Sequence, residues 1–406
     1  MWARRTTLAP KRIRAEAQSV DSKTVEDVLL RSQALVESFE KLVRDELPED
    51  LEIFDAHVHL GTDIDGRVGD FDELVAGQER YGMSGAFMFC LDEPDRHPAF
   101  SAANDRTLAF AARSNGRFVP FVRLDLNEDP IGEATRCLDA GARGIKLHPR
   151  AQKFHLNDER LAPVFELAAE RRVPILIHGG RGLPPIAAEL AALVERYDTQ
   201  LIIAHCGIAD LAALADRFSG RPGVFFDTSV WSALDLLDLF RLVAPGQVLY
   251  ASDYPYGQQP GSLLLALRTS RIAGLDVQQM RAMFAGTARR ICSGDEPLPL
   301  TPPQGPESIS QPLTFARIHA YLSMATPLLW MRQADTIGVL GLALNACDER
   351  SNGHREQTEQ IRELILAARD LWQVLPDAHE EDRPLASRTA FRMVHLANIL
   401  AVTAVA

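Results

Sequence analysis

Eight short apolar runs alternate with helix-like segments between residues 51 and 293. This alternation constrains the fold more than any other feature, because repeated β-α units build a parallel sheet. The runs are LEIFDAHVH, SGAFMFC, FVPFVRL, ARGIKLH, VPILIHG, QLIIAHC, GVFFDTS and QVLYASD. Helical stretches such as 158–172, 183–197 and 232–243 separate them. Eight alternations over about 240 residues match a (β/α)8 TIM barrel of the α/β class. A doubly wound open sheet is the rival, but it is expected to carry a Gly-rich phosphate turn after its first strand, where this chain places histidines.

The flanks read differently. Residues 1–50 combine a polar start with one amphipathic helix, in which Val28, Leu29, Leu35, Val36, Leu42 and Val43 follow helical spacing. Residues 294–307 are rich in Pro and Gly and read as a linker. Residues 308–406 read as an all-helical extension. Its clearest stripe is Ile361, Leu364, Ile365, Ala368, Leu371, Trp372 and Leu375. The extension is expected to pack against the barrel or to form a homodimer.

Charge and cysteine content exclude several classes. A formal charge of -12 gives no basic surface for a nucleic-acid backbone or an anionic membrane. The five cysteines are scattered and contain no Cys-x-x-Cys pair, so the sequence offers neither a disulfide framework nor a thiolate zinc site. Reduced thiols fit the cytoplasm. The basic N-terminus lacks the apolar run of a secretory signal, and the C-terminal FRMVHLANILAVTAVA carries Arg392, His395 and Asn398 and is too short for a membrane helix.

Polar residues close the apolar runs. In IFDAHVH, residues two apart share a strand face, so His57 and His59 point together into the barrel. His178 ends the fifth run, His205 the sixth and Asp253 the eighth. Active sites of this fold are assembled from residues at the carboxyl ends of different strands. Any one of these five could be a packed core residue, yet together they form a candidate site for a divalent metal. Nitrogen and oxygen donors without thiolate suit zinc, with manganese, iron and cobalt as alternatives.

This combination resembles the amidohydrolase superfamily, in particular the amidohydrolase-related group that includes relatives of aminocarboxymuconate semialdehyde decarboxylase. The resemblance covers residues 51 to about 292, through GTARRIC, and is specific for fold and metal but not for substrate. It implies that His57, His59 and His178 are metal ligands and that Asp253 is a ligand or proton shuttle. It also implies that His205 orients water or substrate, or completes a second metal position. Some members carry a carboxylated lysine on the fourth strand. Here GIKLHPR resembles the mononuclear relatives, so one metal per chain is expected, with Lys146 a free cation.

Further residues are candidates for binding a substrate carboxylate: Arg123, Lys146, His148 and Arg150. Asp55 shares alternation parity with His57 and is a candidate acceptor for its ring, or a turn cap. Asp227 and Ser229 stand where they could line the pocket, and Ser232 is placed to cap a helix. Cys206 is expected to point away, into the core. The leading expectation is hydrolysis of an amide, ester or lactone of a small carboxylated molecule by metal-activated water, with Asp253 taking the proton and His205 steadying the developing charge. Non-oxidative decarboxylation on the same scaffold is the alternative, and a non-catalytic binding protein is the third.

Overall fold

The computed structural model describes residues 24–331, 333, 335–349, 354–380 and 382–403. The polar start and the signal reading at residues 1–23, and the last residues of the C-terminal segment, lie outside them.

All eight apolar runs form strands. In chain order the strands are β1 (Phe54–Thr62), β2 (Val68–Gly69), β3 (Gly85–Cys90), β4 (Phe118–Arg123), β5 (Gly144–Leu147), β6 (Ile175–Ile177), β7 (Leu201–Ile203), β8 (Val224–Asp227) and β9 (Val248–Leu249). The sheet order is β2-β1-β3-β4-β5-β6-β7-β8-β9, parallel throughout except for β2. β2 turns back on β1 through Gly61 and Gly69, and is too short to announce itself as a pattern. The segment following β9 returns to β1: Ala56 N donates to Tyr250 O at 2.9 Å, Asp253 N to His57 O at 3.0 Å and His59 N to Tyr254 O at 2.7 Å. These bonds close the barrel.

Side-chain alternation divides the apolar residues into two cores. Phe54, Phe87, Phe121, Leu176, Ile202, Phe225 and Leu249 fill the barrel, with Ala288 and Ile291 of the helix Thr287–Ser293 packed against them. Their neighbours Val122, Ile145, Ile175, Ile203 and Phe226 face the surrounding helices. Each buried side chain of this size contributes roughly 1.5–3 kcal/mol, so the alternation holds the strands in register.

β1 breaks that alternation once. Asp55 pairs with Ala86 and Val58 with Met88, so three steps on β1 match two on β3. One extra residue enters the strand as a bulge. Asp55 and Val58 therefore both face outward, while Ala56, His57 and His59 face inward.

Helices Val25–Glu46, Leu313–Trp330, Thr336–Cys347, Arg355–Val374 and Arg383–Thr403 flank the barrel. Thr24 caps the first of them by accepting from Asp27 N at 3.2 Å. Its last turn is pinned to the barrel helix Gly261–Ile272, where Glu46 meets Arg268 at 2.7 Å and Arg271 at 3.0 Å. The stripe from Ile361 to Trp372 is buried. Helix Arg383–Thr403 packs on the barrel helices Ala233–Leu242 and Gly261–Ile272 as well as on the rest of the extension. Among the described residues, no helix is long and apolar enough to cross a membrane.

Candidate metal centre

The bulge aims His57 and His59 at one point. Their Nε2 atoms lie 3.1 Å apart, and Oδ1 of Asp253 is 3.4 Å from each. Asp253 reaches them because it adopts a left-handed backbone, φ 62°, a strained conformation for a non-glycine residue of the kind found at functional sites. Three donor atoms with these separations fit the edges of a coordination shell around an ion roughly 2.0–2.2 Å from each ligand. All three residues are buried, and they are the only wholly buried metal-type cluster among the described residues.

The protonation of His57 is fixed from behind. Its Nδ1 donates to Asp227 Oδ2 at 2.7 Å, so in the neutral ring Nε2 carries a lone pair. Asp227 is itself held by donors to Oδ1: His205 N at 2.8 Å, Ser229 N at 3.1 Å and Ser229 Oγ at 2.5 Å. Asp55 does not fill this role. Its Oδ1 accepts the backbone N–H groups of His57 at 3.2 Å and Ser252 at 2.9 Å, because the bulge turns its side chain out of the barrel. The acceptor for the ring comes instead from 170 positions away, and its sequence signal was the polar ending of VFFDTS.

The other histidines continue the cluster as a row of rings. His205 lies 5.1 Å from His57 between centroids, His178 lies 4.5 Å from His205, and His148 stacks on His178 at 3.8 Å. His178 is thus brought to the site but stands beside His205 rather than within the three-atom group. Gly180 makes room for it, since a Cβ there would fall 2.8 Å from His178 Nε2. His205 Nδ1 donates to Ser229 O at 2.8 Å, which leaves Nε2 of the neutral ring as an acceptor. Cys206 is fully buried against the outer core, and Ser232 caps Ala233–Leu242, both as the sequence led us to expect.

Two cations share the interior. Lys146 Nζ lies 3.3 Å from His57 Nε2. Arg123, next to it in register, is 2 % exposed; it donates to Cys90 O at 3.3 Å, and its Nε has no partner among the described residues. Arg150, by contrast, is exposed in the turn after β5.

Burial governs the charges here. Desolvation, reinforced by Lys146 and the neighbouring rings, holds His57, His59, His148 and His178 well below the ordinary histidine range. They are neutral and available as ligands. Desolvation also brings Lys146 down to about 7, against the pull of Asp227 and Asp253, and raises Asp253 well above the usual carboxylate range. A cation at the three-atom group would release that proton and use the lone pairs.

The amidohydrolase family model matches residues 54–291, more than half of the chain, and the protein belongs to this family. Several solved structures are similar to part of the chain. A probable 2-pyrone-4,6-dicarboxylic acid hydrolase from Acinetobacter baumannii, solved with citric acid bound, is 10% identical, with 60% of this chain covering 99% of that one at TM-score 0.48. The 4-oxalomesaconate hydratase of Rhodopseudomonas palustris is 18% identical, covering 59% and 95% at TM-score 0.47. A 2,6-dihydroxybenzoate decarboxylase from Rhizobium is 15% identical, covering 60% and 98% at TM-score 0.47. No curated protein sequence matches the chain.

Proposed function

We propose that this chain is a metal-dependent hydrolase acting on an amide, ester or lactone of a small carboxylated molecule. The observation that supports this reading best is Arg123: a guanidinium buried beside the metal group, with no carboxylate within 4 Å among the described residues. A buried cation is costly without an anion, and a planar guanidinium is suited to a substrate carboxylate.

His57, His59 and Asp253 would hold the ion, with His178 the candidate for a further donor, and zinc is the metal we expect. The ion supplies Lewis-acid polarisation of an oxygen atom and acidifies water. Asp253 would take a proton at the carboxylate oxygen that the ion leaves free, and the free Nε2 of His205 would orient water by accepting from it. Where the water's proton passes to Nε2 of His205 instead of to Asp253, the resulting imidazolium would steady the negative charge on the oxygen of the attacked carbonyl. Lys146 contributes positive charge behind the ligands. The five unpaired cysteines support a reducing, cytoplasmic setting.

Decarboxylation is the second reading. It is favoured by the side-by-side placement of Arg123 and Lys146, which suits an acid with two anionic groups, one anchored and one lost. Asp253 or His205 would then protonate carbon.

The test is metal content by plasma mass spectrometry, then a screen of carboxylated lactones, amides and aromatic acids with carbon dioxide detection. About one metal per chain and a chelator-sensitive hydrolysis are expected. Carbon dioxide release would move the assignment to decarboxylation. Failure to bind metal after reconstitution would remove both readings.

A further inference from the structure

A second polar site lies outside the barrel, on the outer side of β1. The helices Val25–Glu46, Phe71–Arg80 and Arg383–Thr403 and the loop after β9 line an open-mouthed cavity of about 300 Å³. Its walls include Val36 and Leu74, but also polar atoms that have no partner in the fold. Gln78 is 2 % exposed and neither its Nε2 nor its Oε1 is hydrogen-bonded; Tyr81 is 6 % exposed and its hydroxyl is likewise unpartnered. Arg392 lines the same space with a free Nε, and its bond to a carbonyl, Gln259 O at 2.5 Å, is not an ion pair.

Glu37, Glu40, Asp55 and Glu73 also line the cavity, but none of them forms an ion pair with Arg392. Glu40 is taken by Arg80 at 2.9 Å and Glu73 by Arg388 at 3.2 Å. Among the described residues no carboxylate lies within 4 Å of Arg392. Burial accordingly lowers its proton affinity even with Glu40 and Glu73 nearby. Water can satisfy an amide or a phenol, but a cation in low dielectric calls for an anion. The free donors of Tyr81 and Gln78 can join the guanidinium on that anion, and the amide oxygen of Gln78 accepts from a hydroxyl.

We infer that this cavity binds a small carboxylate, its anionic end on Arg392 and Tyr81 and a hydroxyl substituent on Gln78. The site is separate from the metal centre but adjoins it, since Asp55 lines the cavity while its Oδ1 holds the backbone N–H groups of His57 and Ser252.

Isothermal titration of the metal-loaded full chain with acetate and lactate tests this. Because Arg123 could also bind carboxylates, each probe is titrated into wild type and into Arg123→Gln. Binding that survives Arg123→Gln, tighter for lactate than for acetate, is expected. Arg392→Gln should weaken it at least about tenfold and Tyr81→Phe about three- to tenfold. If Arg392→Gln does not fold, Tyr81→Phe decides, because it removes one hydroxyl and no packing. No binding to wild type, binding abolished by Arg123→Gln, or binding indifferent to Tyr81→Phe would each overturn the assignment.

Discussion

Nδ1 of His57 and Oδ2 of Asp227 meet at 2.7 Å inside the barrel, and the other oxygen of that carboxylate is already taken by donors from His205 and Ser229. An Asn at 227 would keep its carbonyl oxygen on those donors and turn its NH2 toward His57. The ring would then have to accept at Nδ1 and carry its proton at Nε2, where a metal needs a lone pair. Asp227→Asn is expected to weaken metal binding about 10–100-fold. Titration with a competing chelator measures this; unchanged affinity would show that Asp227 does not set the tautomer.

His178 stands one ring away from the three-atom group, so its role as a ligand has its own test. His59→Ala should lose metal and activity together, because it removes one of the three convergent donors. His178→Ala should do the same if the ring turns in as a further ligand. Stoichiometric metal retained in His178→Ala would confine the site to His57, His59 and Asp253.

Arg123→Gln should raise KM roughly 10–100-fold for a carboxylated substrate while changing kcat much less, since a carboxylate remote from the reacting bond is bound equally in ground and transition states. Steady-state kinetics with the acid and its methyl ester distinguish this from general damage. Equal loss on both compounds would be the adverse result.

Gly69 leaves room for the strand that carries His59. A Cβ there would lie 2.3 Å from His59 O, against backbone that cannot give way cheaply. Gly69→Ala is expected to cost about 1–3 kcal/mol of stability, read by denaturant unfolding, and to lower metal affinity by displacing His59.

His395 gives the fold a predictable response to acid. Burial holds its imidazole down at about 4 from an ordinary 6.5, opposed by a backbone hydrogen bond with Trp231. Below pH 6.5 the unfolded chain takes up a proton that the folded chain refuses until about 4. The contribution is therefore fully present above pH 6.5 and is lost as the pH falls through the folded value, by about 3 kcal/mol. His395→Gln keeps a donor for Trp231 and should show a shallower loss of stability between pH 7 and 4, measured by urea unfolding. An identical profile would show that the ring is not buried in its neutral form.

Much of this protein was determined locally. Runs such as VPILIHG and QLIIAHC bury one face in the barrel and end in a polar residue, so the strands and the placement of His57, His59 and His178 at one barrel mouth follow from period-two geometry, whereas His205 and Asp253 arrive there through left-handed backbone just beyond their strands. The amphipathic stripe from Ile361 to Trp372 follows in the same way from helical spacing.

The tertiary structure decided what depends on pairing between distant segments. Alternation placed Asp55 beside His57, but the extra residue that β1 accommodates against β3 turned Asp55 outward, and register is a property of two strands rather than one. The acceptor for His57 then came from β8, His178 found its stacking partner in His148, and the unpartnered atoms of Gln78, Tyr81 and Arg392 were gathered by three helices and a loop. Each residue carries its own chemistry in the sequence, but its partner and its dielectric are set by which distant surfaces close around it.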